Sequence, residues 1–295
     1  MPTLFVAALL AGCTAPPDAP EGLDDSVKHL YRGFYGSDEE VGAGLTGLMN
    51  WFDKDGGELL DATADLDSVG AFSLSALGPQ DVAHVALEDD PDPGLASGVV
   101  SLAEMRCSWD EAERWLVRRD QDVVFEGDFD SYSRTYDTSR ATFEDASDNE
   151  TFAPIEETLT DATLTDSPST ILLTTNDAAS TEIGVTIPFE LALHFRHGIW
   201  EVQGEEVAGM MILGYFPRRA ESDGGANAIE QNYSIDINLA RGKGKTLRVF
   251  GNWTELTSLF DSDSAVVLTT AVNKAQASAE RLSQICAGDV TVGKE

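Results

Sequence analysis

The sequence predicts an α+β fold: an N-terminal helix pair, then a largely antiparallel β-sheet, then a long C-terminal helix packed on that sheet. Three observations carry this reading. Apolar residues between Leu23 and Phe52 recur at helical spacing, those from Val185 to Phe195 and from Tyr233 to Leu239 alternate strictly, and a helical stripe runs from Leu268 to Ile285. A sheet with one greasy face and an amphipathic helix each need cover, and packing one on the other is the simplest layer solution. Residues 23–295 read as a single domain, with a subdivision near 120 as the alternative.

Before the domain comes an address. Leu4 to Leu10 is apolar and far shorter than the ~20 residues that span a bilayer, so it fits the core of a cleavable export signal. Leu10-Ala11-Gly12-Cys13 follows, with two small residues suited to a peptidase cleft, and Thr14-Ala15-Pro16-Pro17 comes after. This stretch resembles the lipobox of bacterial lipoproteins. The resemblance implies a signal peptide over 1–12, cleavage before Cys13, and diacylglyceride with palmitate-type acylation on that cysteine. Two or more chains would hold the protein stably at a membrane. Met1-Pro2-Thr3 lacks the usual basic leader, which a start codon upstream of residue 1 would supply. Thr14 is not the acidic residue that retains some Gram-negative lipoproteins at the inner membrane, so the resemblance favours the outer membrane of the cell envelope, on its periplasmic or surface face.

Residues 13–22 form a tether held extended by Pro16, Pro17 and Pro20. Leu23, Val27, Leu30, Tyr31, Phe34 and Tyr35 then share one helical face. Ser37 with Glu40 makes a capping-box pattern for a second helix, whose stripe of Val41, Leu45, Leu48, Met49 and Phe52 stops at Gly56-Gly57. The short turn between them suggests an antiparallel pair needing further cover. Ala71 to Leu77 alternates weakly as a strand, 88–94 is a loop, and Ser108 caps a short helix through Trp109, Ala112, Trp115 and Leu116.

Strand signals follow. Tyr132, Arg134 and Tyr136 share a face, 145–150 is a polar loop, and Ile171 to Thr175 is β-branched or apolar. In the clearest strand Val185, Ile187, Phe189, Leu191, Leu193 and Phe195 point one way, and Thr186, Pro188, Glu190, Ala192, His194 and Arg196 the other, toward water. Pro188 cannot donate to a ladder, which places this strand at an edge or at a bulge. Val207 to Phe216 is apolar at both parities and should be covered on both faces. Tyr233 to Leu239 alternates again, Arg241 to Lys245 turns a hairpin into Leu247 to Trp253, and a final helix, capped from Asp261 to Ser264, ends near Cys286 and Gly288.

This order of elements is similar in outline to helix-grip folds, where a curved sheet and a C-terminal helix enclose an apolar ligand cavity. Asp24-Asp25 with Phe34, Asp120-Gln121-Asp122, Tyr132-Ser133-Arg134-Thr135-Tyr136, Gly251-Asn252-Trp253 and Cys286 also resemble landmarks of uncharacterised lipoproteins of the myxobacterial type. That resemblance spans most of the mature chain and implies a secreted, anchored domain with no known activity.

Charge narrows the partners. Fifty-two acidic and 19 basic residues give a formal net charge of -33, which repels nucleic acid and anionic headgroups. With Cys13 acylated, Cys107 and Cys286 remain as an even pair for an oxidising compartment, expected to be bonded, with two buried thiols as the alternative.

Sharper motifs fail on inspection. Phe52 to Glu58 resembles the opening of an EF-hand loop, but Glu58 replaces the required glycine and Ala64 the closing carboxylate, so a glycine helix stop is the better reading. His194 and His197 face opposite ways on a strand with no nearby cysteine, and read as surface histidines rather than zinc ligands. The basic run Arg241 to Arg248 could meet phosphates or an acidic partner, and a solvated hairpin tip explains it more simply. No nucleophile elbow, phosphate loop or dinucleotide fingerprint occurs, so no catalytic residue, metal or cofactor is assigned. Two function classes stand: a binding module for an apolar or peptidic ligand held between sheet and long helix, or an envelope protein acting through contacts with other proteins. A cavity between Val185–Phe195 and Leu268–Ile285 discriminates them.

Overall fold

Chain alternation from residue 71 to 258 is resolved into one antiparallel sheet. The computed structural model describes residues 17–56, 71–148, 170–182, 185–258 and 264–295. The Leu10–Cys13 stretch, the start of the tether, Gly57, Glu58, Ala64 and positions 149–150 and 261–263 therefore lie outside the described residues. Among those described, the strands are β1 (Ala71–Leu74), β2 (Ser97–Met105), β3 (Ser131–Tyr136), β4 (Ile171–Glu182), β5 (Val185–Val202), β6 (Glu205–Tyr215), β7 (Ala220–Glu221), β8 (Asn227–Ala240) and β9 (Thr246–Ser258). Their order is β1-β2-β9-β8-β6-β5-β4-β3, with β7 on β8.

Helices cover both faces. On one lie α1 (Gly22–Arg32) and α2 (Asp38–Trp51), against Met211, Leu213, Tyr233, Ile235, Ile237, Val249 and Trp253. On the other lie α3 (Trp109–Leu116), α4 (Gln121–Val124), α5 (Arg140–Asp148) and α6 (Ser264–Ala287), against Met105, Leu172, Phe195, Met210 and Ile212. Both parities of β6 are thus buried, as its unbroken apolar run predicts.

The N-terminal pair forms by local chemistry. The Ser37 hydroxyl accepts from the Glu40 main-chain N–H at 3.2 Å, half of the capping box. A Cβ added at Gly42 would stand 2.7 Å from the Glu201 carbonyl oxygen, so glycine lets α2 approach β5. A single π-helical turn, Phe52–Gly56, then ends the helix. Ser108 stands at the N-cap of α3, though its hydroxyl makes no cap hydrogen bond. At the far end α6 stops at Gly288, φ 78°, with the Asp289 N–H donating to the Gln284 carbonyl at 2.9 Å.

Three expectations are corrected. The face of β5 assigned to water is wet at Thr186 and Pro188, but His194 and Arg196 are buried. The α1–α2 turn lies over them: Arg196 Nη1 donates to the Phe34 and Gly36 carbonyls at 2.6 and 3.1 Å, and Nη2 to Asp38 Oδ1 at 2.7 Å. Polar parity is satisfied by carbonyls of the α1–α2 turn, by the Asp38 carboxylate and by the Tyr35 hydroxyl rather than by solvent. Second, β5 as a whole is an interior strand, and the edge expected at Pro188 is local to that end, with no bulge. It pairs with β4 without a register shift, while β6 begins pairing only at Ala192, so Pro188 sits on an overhang bonded on one side. Third, Arg248 does not belong to a solvated hairpin tip. The turn itself is there, closed by the Arg241 N–H donating to the Lys245 carbonyl at 2.9 Å, but Arg248 is three residues up β9 and buried.

Cys107 and Cys286 form a disulfide with a Cα–Cα distance of 5.3 Å. It joins the approach to α3 to the last turn of α6.

Candidate functional site

Where the β5 stripe and α6 could have closed on each other, they flank a half-open cavity of about 420 Å³ instead. Its apolar wall is the row Val185, Ile187, Phe189, Leu191, Leu193 and Phe195, joined by Ile212 and Phe216. Its roof is α6, through Thr270, Ala271, Lys274, Ala275 and Ser278. A further wall comes from β8 and β9 and carries polar Asn232, Ser234, Asp236, Arg248 and Asn252 among apolar Phe250 and Leu256, and Phe125, Phe129, Tyr132 and Arg134 close another side. Apolar wall and polar wall face one space.

Two guanidinium groups are built into it. Arg248 donates from Nε to both oxygens of Asp236 at 3.0 Å and from Nη2 to Oδ2 at 2.7 Å, a forked pair on adjacent strands. Its Nη1 reaches the helix, donating to Ser278 Oγ at 2.6 Å and the Ala275 carbonyl at 3.2 Å. This pair fastens roof to floor. Arg134 of β3 is different: its Nε donates to Asn176 Oδ1 at 2.7 Å and its Nη1 to the Leu116 and Arg118 carbonyls at 2.6 and 2.9 Å. All its acceptors are neutral. Burial pushes the guanidinium pKa down, and the Phe195 and Tyr132 rings lie 5.2 and 5.6 Å from its carbon.

A second cleft of about 530 Å³ runs beside the Pro188 overhang. Its arginines are already matched, Arg218 with Glu190 at 3.0 Å and Arg219 with Glu230 at 2.7 Å, so it offers no unmet chemistry.

The two histidines read as surface groups are buried on opposite faces. Tyr35 hydroxyl and His194 Nδ1 hydrogen-bond under α1, while His197 Nδ1 meets Glu113 Oε2 at 2.9 Å under α3, with Phe143 stacked at 4.1 Å. They are buried because the α1–α2 turn brings Tyr35 to one and α3 brings Glu113 to the other. Burial raises the Glu113 pKa against the lowering effect of its bond to His197. Among the described residues Cys107, Glu111 and Cys286 bring ligand-type atoms within 4.8 Å, but bonded sulfurs offer no thiolate to a metal.

The alternation in β5 marks the apolar wall in advance. Asp236 and Arg248 were missed as a pair, although opposite charges at the polar parity of two strands joined by a hairpin carry the signal. Arg134 was legible as sharing a face with Tyr132 and Tyr136, and its burial was not.

No family model and no curated protein matches the chain. Solved structures with similarity to it include a START superfamily protein from Mycobacterium smegmatis, at 8% identity over 65% of this chain and 99% of that one, TM-score 0.40. Human StAR-related lipid transfer protein 5 aligns at 9% identity over 85% of this chain and 97% of that one, TM-score 0.40. A protein from Thermus thermophilus aligns at 10% identity over 66% of this chain and 99% of that one, TM-score 0.39.

Proposed function

We propose that this chain is a lipid-anchored envelope protein whose folded part binds an apolar or amphipathic small ligand between the sheet and α6. The observation that supports the binding reading is the cavity itself, about 420 Å³ and within the range of small-molecule sites. Interiors close-pack when nothing requires otherwise, and here the apolar side chains of β5 from Val185 to Phe195 line an open space beneath α6 instead of packing fully against it. Anchoring rests on Leu10-Ala11-Gly12-Cys13, and an outer-membrane site on Thr14. In this reading the tether carries the domain away from the bilayer while the cavity holds its ligand out of water.

Cys13→Ala separates the two parts. It should abolish palmitate labelling and move the protein from the membrane to the soluble fraction, and continued labelling would remove the anchor from the proposal. The soluble variant should then bind N-phenyl-1-naphthylamine, an uncharged apolar fluorophore, saturably and at one site. Ala271→Trp, which fills the cavity from α6, should weaken that binding at least about tenfold with its melting temperature retained. Absence of saturable binding, or binding unaffected by Ala271→Trp, overturns the ligand-binding function.

A further inference from the structure

Resting on the ligand-binding reading above, we infer that the cavity is built for a long-chain carboxylate, with its acyl chain along β5 and its head group at Arg134. Among the described residues the charged groups lining the cavity are Arg134, Arg248 and Lys274 against Asp128 and Asp236, one cation in excess inside a protein of net charge -33. Lys274 is exposed to water, so the buried cations of the lining are Arg134 and Arg248. Asp236 is engaged by Arg248, whereas no acidic side chain among the described residues comes within 4 Å of Arg134, and its bonds go to the Asn176 amide oxygen and to two main-chain carbonyls. Arg134 is 4% exposed, so water does not compensate its charge. A buried guanidinium of this kind gains most from an anion brought in by the ligand, through charge-assisted hydrogen bonds.

The place of Arg134 fits a head group. It lies over the Phe195 ring, the last member of the apolar row, so a chain running along Val185 to Phe195 ends beside the guanidinium. Tyr132 lies against the same group, its hydroxyl donating to the Asn176 Oδ1 that Arg134 Nε also uses. Two of the three guanidinium nitrogens, Nε and Nη1, are already engaged with the protein, which leaves Nη2 alone for a ligand and favours a singly charged head over a dianionic phosphate. At roughly 30 Å³ per water-sized group the cavity takes about fourteen non-hydrogen atoms, the size of dodecanoate.

The test uses the Cys13→Ala protein with N-phenyl-1-naphthylamine as reporter and displaces it with dodecanoate, dodecanol or dodecyl phosphate. Dodecanoate should displace the reporter at a concentration at least about tenfold below dodecanol, the effect of one charge-assisted bond. Arg134→Met should erase that preference and leave reporter binding in place. Because Arg134 also holds two carbonyls, a measurement on the unsubstituted site accompanies it: carboxyl-labelled [1-¹³C]dodecanoate, bound and titrated by NMR, should stay ionised to lower pH than in water. A bound head group that titrates above its value in water lies in apolar surroundings away from Arg134 and overturns the inference. Equal displacement by dodecanol, or tighter binding of dodecyl phosphate, also overturns it. In each of these cases the reporter still binds, so the cavity reading stands, whereas its failure would appear first as loss of reporter binding.

Discussion

His84 packs its ring edge-on to Tyr31 and Tyr35, with centroids at 5.2 and 5.7 Å, and neither ring nitrogen has a hydrogen-bond partner among the described residues. Burial lowers its pKa to about 4, against a smaller raising effect of Asp81, and burial with nearby His84 lowers that of His194 to about 3. Tyr215 and Tyr35 are the other titratable rings against His194. Both histidines are therefore neutral in the fold where the unfolded chain, with a pKa of about 6.5, already takes up protons. Stability is full above about pH 6.5 and falls as the pH drops toward 4, since there the unfolded state binds more protons. His84→Phe keeps the ring packing and removes the titration. We expect its urea midpoint to match the parent at pH 7 and to exceed it at pH 5 by the equivalent of about 2 kcal/mol. Parallel pH profiles for the two proteins would refute this account of His84.

Helix α6 is the element on which both architecture and cavity depend. Ala275, Ala279, Leu282 and Ile285 of the expected stripe are buried, Leu282 completely, while the Leu268 side chain lies outside the described residues. Leu282→Asp places a carboxylate among Met105, Ala112 and Met210 of the same core. Such a charge costs several kcal/mol or forces protonation, a large share of the ~5–15 kcal/mol that holds a domain folded. We expect a large fall in melting temperature under oxidising and reducing conditions alike, and a near-native melting curve would show α6 to be solvated. On the opposite face α1 depends on absence of bulk: a Cβ at Gly251 would meet Val27 Cγ1 at 2.7 Å. The period of α1 and the alternation of β9 are both plain in the sequence, but that they cross at Gly251 is not.

At the scale of the whole molecule two apolar layers flank one sheet, and among the described residues the Cys107–Cys286 link closes the chain over them. The disulfide spans 179 residues, and on the loop-entropy model such a link is worth about 5 kcal/mol as an upper estimate. The Cys107→Ala/Cys286→Ala double variant should lose stability toward urea up to that size, with the cavity reporter still bound at low denaturant. Thiol counting on the denatured, unreduced Cys13→Ala protein should find none, and two reactive thiols would refute the bridge. The acidic surface acts at the same scale, because repulsion among so many carboxylates opposes the compact state and added salt relieves it.

The coarse order of helix pair, sheet and closing helix, the helical faces of α1 and α2, the parity of β5 and β8 and the stop at Gly288 were determined by the sequence alone, because each depends on spacings of a few residues. By contrast β2, α4 and α5 were not legible in it, and α5 runs through Asp148 where a polar loop was expected. Which layer covers which parity was decided only by the tertiary structure. Alternation says that His194 and Arg196 share a side of β5, yet whether that side meets water or the carbonyls of the α1–α2 turn depends on an element some 160 residues away. The cavity is a tertiary property for the same reason. It is a mismatch of volume between the β5 row and α6, and no local pattern in either element records the space left when the two surfaces meet. Arg134, with no acidic side chain within 4 Å among the described residues, belongs with it, since its neighbours come from β4 and from the α3 region rather than from its own strand.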